Sequence, residues 1–149
     1  MLTAAERRLL VDQATVLIES LYVHLPLKRA MHAVDPLQRL RLLRRRSENL
    51  SEPAFHAELL SIFTRLRDLH TNYILPEPLR SRTAYLPFRI EAYFEGDERR
   101  YVVTEVKPGE EDASFRRGAV VSHWNGVPIH RAVELNADRE AGSNPDARH

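Results

Sequence analysis

The 149-residue sequence has no cysteine, which excludes disulfides, thiol nucleophiles and cysteine-ligated zinc. Lysine is almost missing as well. Lys28 and Lys107 are the only two, and neither has a neighbouring serine with which it would form a nucleophile–base pair. Neither sign of charge is in excess, because 22 Lys and Arg face 21 Asp and Glu. Such a balance creates no general attraction to polyanions. Long apolar runs are absent: none approaches the roughly 20 residues that cross a bilayer, so no membrane span is expected. Charges interrupt the N-terminal "MLTAAERRLLVDQ" where a signal peptide would be apolar, and the cytoplasm is the default compartment. No G-x-S-x-G turn occurs, and the seven histidines form no metal-spaced set. Neither a metal nor a cofactor is expected.

What is present reads as α+β: an N-terminal α-helical bundle over residues 1–78, followed by a small β-rich domain over residues 79–149. Thr3 with Glu6 fits a capping box, and Leu9, Leu10, Val16, Leu17, Leu21 and Tyr22 supply an apolar face until Pro26 ends or bends the helix. Asp35-Pro36 with Gln38 starts a second helix, on which Leu37, Leu40 and Leu43 recur. Five arginines crowd residues 39–46, "RLRLLRRR". With an apolar stripe between them and no interleaved aromatics, they read as the solvated face of an amphipathic helix, and no nucleic-acid partner is expected. Ser51 caps a third helix, whose stripe Phe55, Leu59, Ile62, Leu66, Leu69 and Tyr73 is predicted to run on to Pro76 and Pro78. His56, beside Phe55, is predicted to flank that helix.

The period then changes from helical to two. "FRIEAYFE" alternates Phe88, Ile90, Ala92 and Phe94 with polar positions, "GDE" turns, and "RYVVTEV" returns, so residues 88–106 read as a hairpin. "AVVSHW" is a third strand, Asn125-Gly126 a turn, and "RAVELNADREAG" a helix ending at Gly142. Asn144-Pro145-Asp146 is another helix start with almost nothing after it, so the chain is expected to be truncated before a further domain.

One stretch invites a catalytic reading: "LRDLHTNYILP", with Asp68 two residues before His70 and Thr71 next. On a helix, residues two apart point in different directions and do not pair. The expectation is therefore structural, with His70 meeting the last carbonyls of the helix. Ser143 reads as part of a helix junction.

"FRRGAVVSHWNGVPI" resembles a PDZ stretch through Gly118, Val120 or Val121, Asn125, Gly126 and Ile129, with Ala119 where the family usually has Asp. Taken with "LRDLHTNYILP", "LPFRIEAYFE" and "ELNADREAGSNPDARH", the chain from about Leu21 onward is similar to the N-terminal part of tail-specific, C-terminal-processing serine peptidases. Asp68, His70, Thr71, Gly118, Asn125 and Gly126 carry that signature. The resemblance implies a Ser–Lys catalytic pair in an α/β domain beyond His149, and hence no catalytic residue within this chain. It also implies a polypeptide substrate or C-terminal peptide as partner, together with the remainder of the parent peptidase. Strand addition would take place at Leu86, Pro87 and Phe88, where Pro87 lacks a ladder donor. The alternative is a stand-alone PDZ-like peptide-binding module without enzymatic activity.

Overall fold

A computed structural model describes residues 1–148; His149, the end of the predicted β-rich domain, lies outside the described residues. The chain is α+β, with five α-helices and two small antiparallel sheets among the described residues, and all but the last helix precede the strands. It divides into two units, Met1–Arg82 joined by the segment from Ala137 onward, and Thr83–Asn136. The sequence places a single break near residue 78. The return after Ala137 is tied to the helical unit by Arg67, whose guanidinium donates to Asp138 Oδ1 and to the Glu140 carbonyl, each at 2.5 Å.

In the helical unit α1 (Ala4–Val16) starts at the predicted capping box, with Thr3 Oγ1 accepting from Glu6 N and the Glu6 carboxylate accepting from Thr3 N. Its buried face follows the predicted stripe only in part, since Leu10 and Tyr22 pack against the core but the other four residues do not. Arg7, Val11, Ala14 and Ile18 point inward, while Leu9, Val16, Leu17 and Leu21 are exposed. Spacings of four, three and four make that inner face as regular as the predicted one. Arg7 sets the rotation: its Nη1 donates to the Ser47 and Leu50 carbonyls at 2.7 and 2.6 Å, and the guanidinium lies 5.4 Å from the Phe55 ring centroid. A π-helical turn, Leu17–Leu21, ends the helix before Pro26, which sits in the first turn of α2 (Leu25–His32) instead of breaking α1.

Asp35 caps α3 (Pro36–Arg46), and Leu37, Leu40 and Leu43 are buried as expected. Four of its five arginines have partners within the fold: Arg39 and Arg46 with Glu58, Arg44 with Asp12, and Arg41 with Gln38. A 3₁₀ turn, Ser47–Asn49, leads to α4 (Glu52–Thr64), capped by Ser51. This helix stops nine residues short of Tyr73. Leu66 N and Arg67 N tighten onto the Phe63 and Thr64 carbonyls, and Arg67 then takes a left-handed φ of 53°. Leu66 stays fully buried, Leu69 swings out to 60% exposure, and Tyr73 packs on the core from outside any helix. His56 is a core residue, not a flank residue. It is buried, bonds to Tyr73 Oη through Nδ1 at 2.7 Å and stacks on that ring. Val11, Ile18, Leu40, Leu43, Phe55, Leu59 and Ile62 complete the core.

In the second unit β1 (Phe88–Glu95) pairs antiparallel with β2 (Glu98–Val106). The strict alternation predicted for β1 breaks. Thr104 is an extra residue opposite the Arg89–Ile90 step, so Phe88 faces Val106 while Ile90 faces Val103, and Phe94 is exposed. Residues 118–121 line the other edge of β2, through Gly118 N to Val103 O, Val103 N to Ala119 O, and Val121 N to Tyr101 O, at 2.8–2.9 Å. Of the predicted strand "AVVSHW", only His123-Trp124 is regular, as β3. It joins β4 (Val127–Pro128) through Asn125-Gly126, whose φ values of 48° and 78° make the two-residue turn that twists with its strands. Helix α5 (Ile129–Ala137) ends five residues before Gly142, the predicted stop. Beyond it, Asn144 Oδ1 accepts from Ala147 N at 2.8 Å, forming a single capped turn. No helix among the described residues is long and apolar enough to cross a membrane.

Candidate functional site

In the helical unit, the early stop of α4 brings Asp68 and His70 together in a way that a continued helix would forbid. Asp68 Oδ1 accepts from the His70 backbone N–H at 2.9 Å, and His70 Nδ1 lies 3.6 Å from the same oxygen. The other carboxylate oxygen accepts from Tyr22 Oη at 2.7 Å. The Tyr22 hydroxyl, then the His70 backbone N–H, hold the Asp68 carboxyl below its usual range against the opposing effect of burial, helped by the charges of Lys28 and His70. Burial, then the hydrogen bond and charge of Asp68, push the Tyr22 phenol upward. Thr71 N closes a turn onto the Asp68 carbonyl at 3.4 Å.

Asp68 and His70, with His24, Leu27, Lys28 and Ser143, border an open cavity of about 270 Å³. Two features argue against acyl transfer there. The His70 side chain is 97% exposed, and Ser143 makes no hydrogen bond to it among the described residues. A nucleophile needs its base within hydrogen-bond reach and the base needs an orienting partner. Asp68 serves instead as an anchor, joining the end of the α1 region to the chain that leaves α4.

In the second unit, Leu86, Pro87 and Phe88 border a cavity of about 320 Å³, with Arg89, Glu105 and Lys107 on its wall. The Pro87 carbonyl accepts from Lys107 N at 2.7 Å, which extends the ladder one step beyond β1. Proline needs only its acceptor at this position, which explains how it is tolerated at the strand entrance. Phe88 is fixed by an edge-to-face contact with Phe115 at 4.7 Å and by Trp124 at 6.0 Å. The outer edge of β1 has no strand partner among the described residues, so its alternate backbone groups face outward. Gly118, at φ 90°, starts the segment that pairs with β2, a conformation that L side chains rarely adopt. Asn125 and Gly126 form the β3–β4 turn. Ala119 uses its backbone alone, donating to Arg116 O and accepting from Val103 N.

Asp68, His70 and Thr71 therefore share one junction of the helical unit, whereas Leu86, Pro87, Phe88, Gly118, Asn125 and Gly126 all belong to the second unit. Tyr22 and Lys28, which complete the Asp68 anchor, carry no local sequence signal. Tyr22 lies 46 residues from its partner. Comparison with known protein families, curated proteins and solved structures finds no match to this chain.

Proposed function

We propose that Thr83–Asn136 recognises a polypeptide C-terminus by strand addition to β1, as a PDZ-like part of the non-catalytic N-terminal region of a tail-specific serine peptidase. The observation that carries this reading is the unpaired outer edge of β1, which opens at its N-terminal end on the Leu86–Phe88 cavity. A peptide laid along that edge would gain main-chain hydrogen bonds, and the cavity would take an apolar side chain next to its terminus. Arg89 and Lys107 on the cavity wall are cationic partners for the terminal carboxylate. The similarity of the Gly118–Ile129 stretch to PDZ sequences supports the same unit as the reader. In the parent enzyme, a serine activated by a lysine would perform the acyl transfer, and the residues of this chain would only bind and present the tail.

Titration of the whole chain with a fluorescent hexapeptide ending in valine tests the reading, with the C-terminally amidated peptide as comparison. The free acid is expected to bind at least tenfold more tightly than the amide and to shift the amide resonances of Arg89–Glu95, with no cleavage of the peptide. Arg89→Glu with Lys107→Glu is expected to abolish the preference for the free acid. Equal binding of acid and amide, or shifts confined to residues away from β1, would sink it. The alternative is a stand-alone interaction module, which would use the same strand edge and cavity. Hydrolysis by the complete gene product, lost when a serine and a lysine beyond residue 149 are replaced, separates the peptidase from that module.

A further inference from the structure

A cavity of about 280 Å³ in the helical unit is lined by four basic side chains drawn from three parts of the sequence. His32 ends α2, Arg65 caps α4, Arg67 follows it, and Arg148 comes from the segment after Ala137; Val34 and Asp138 complete the lining. Cations near a helix C-terminus interact well with its last carbonyls and its dipole. That accounts for a histidine and an arginine at two helix ends. It does not account for Arg148, nor for nitrogens that have nothing to donate to. His32 Nε2 and Arg148 Nε are both closed off from solvent and lack a hydrogen-bond partner among the described residues. A buried donor without an acceptor is destabilising, and a charged one more so.

The walls are held by the fold itself. Arg67, with its side chain 12% exposed, is committed to Asp138 and the Glu140 carbonyl, and its own carbonyl accepts from Lys28 Nζ at 2.6 Å. Arg148 Nη1 donates to the Gly142 carbonyl at 3.1 Å, and a Cβ at position 142 would stand 2.7 Å from Ala147 O. Glycine is therefore needed for the chain to fold back and deliver Arg148. Three guanidiniums face one carboxylate across the cavity, which leaves two positive charges in excess. The His32 imidazole feels this field: burial first, then the charges of Lys28, Arg67 and Arg148, hold it below its usual range.

We propose that this cavity is a binding site for a phosphate group, either inorganic phosphate or the phosphate end of a small monoester. A dianion matches the excess of two charges, whereas a single carboxylate would leave one uncompensated. Guanidinium forks suit tetrahedral oxyanions through paired N–H donors. The cavity, about 280 Å³ and open to solvent, leaves room for a small organic group beside the phosphate.

The test is an NMR titration of the full chain with inorganic phosphate at low ionic strength, following the His32 imidazole, with acetate and chloride at equal ionic strength as controls. Phosphate is expected to give a saturable shift and to raise the His32 pKa, while acetate binds at least tenfold more weakly. Arg148→Gln and Arg65→Gln should each weaken phosphate binding about tenfold. Arg45→Gln, on the exposed side of α3, should leave it within twofold. Arg65 is exposed, so its substitution keeps the experiment readable if Arg148→Gln loosens the return segment. Non-saturating shifts, or an Arg45→Gln effect as large as that of Arg148→Gln, would mean only diffuse counterion attraction and would overturn the site. A parallel titration with phenyl phosphate separates the two sources. Binding tighter than inorganic phosphate assigns the site to monoesters, and equal or weaker binding assigns it to the free ion.

Discussion

Asp68 carries much of the connection between the start and the end of the helical unit, and its protonation state makes that connection testable. Its folded-state pKa lies below the usual carboxylate value, chiefly because of the Tyr22 hydroxyl. The folded state therefore binds the proton less readily than the unfolded chain. Stability from this group is fully present above the unfolded carboxylate pKa of about 4 and is lost as pH falls through the lower folded value. Removing the hydroxyl in Tyr22→Phe should cost about 1.5 kcal/mol at pH 7, the low end for a bond to a charged acceptor because the pair is only partly buried. The gap between the variant and the parent should then close as urea denaturation is repeated at pH 5, 4 and 3. A gap that stays constant down to pH 3 would show that Asp68 is not the group that titrates. His56 works in a different window. Its depressed pKa, due first to burial, gives stability that is complete above the unfolded imidazole value near 6.5 and falls on acidification from there. The two contributions separate along the pH axis.

Among the elements, those started by side-chain caps are legible in the sequence, and those ended by tertiary contacts are not. Thr3, Asp35 and Ser51 each sit three residues before the amide they receive, so α1, α3 and α4 begin where local chemistry dictates. Asn125-Gly126 is equally local, because its left-handed residues impose the turn. The end of α4 is different. All five glycines of the chain lie after residue 95, and the left-handed residue that ends α4 is Arg67, held by groups 71 and 73 positions later. No window of neighbouring residues contains that information. The same holds for α1, whose inner face follows an arginine bonded to carbonyls 40 and 43 residues away, although the leucines suggest another rotation. For the candidate sites, the edge at Leu86–Phe88 is visible as a change of period, whereas the partners of Asp68 and the basic cavity emerge only when distant segments meet. A pair of substitutions separates the two versions of α4. Leu66→Ala, at a fully buried position, should cost about 2–5 kcal/mol. Leu69→Ala, its neighbour on the predicted stripe, should change stability by less than about 0.5 kcal/mol, as surface positions do. Similar losses at both positions in chemical denaturation would restore the longer helix.

Over the whole molecule, the two units differ in how much apolar surface supports each of them. The helical unit closes over a contiguous cluster running from Val11 to Leu66, with Leu2, Leu10, Tyr22, Leu50 and Tyr73 packed against it. In Thr83–Asn136 the buried apolar side chains are Tyr101, Val103, Val106 and Ile129. A unit of that size with so few buried groups has little hydrophobic stabilisation to set against chain entropy. Its outer strand leaves one row of backbone groups in solvent. Local opening should therefore be far easier in β1 and β2 than in α3 and α4, since protection follows buried contacts and closed hydrogen bonds. Hydrogen exchange on the whole chain should show amides of Leu40–Leu43 and Leu59–Phe63 protected at least tenfold more than those of Ile90–Tyr93 and Tyr101–Val103. Equal protection would mean that the β unit draws stability from packing beyond these four side chains. A peptide bound along β1 should close part of that difference by occupying the open edge, because a ligand that binds only the folded state stabilises it by mass action. Protection that rises in β1 and β2 on adding a free C-terminal peptide, and not its amide, would tie the low stability of this unit to its use as a strand acceptor.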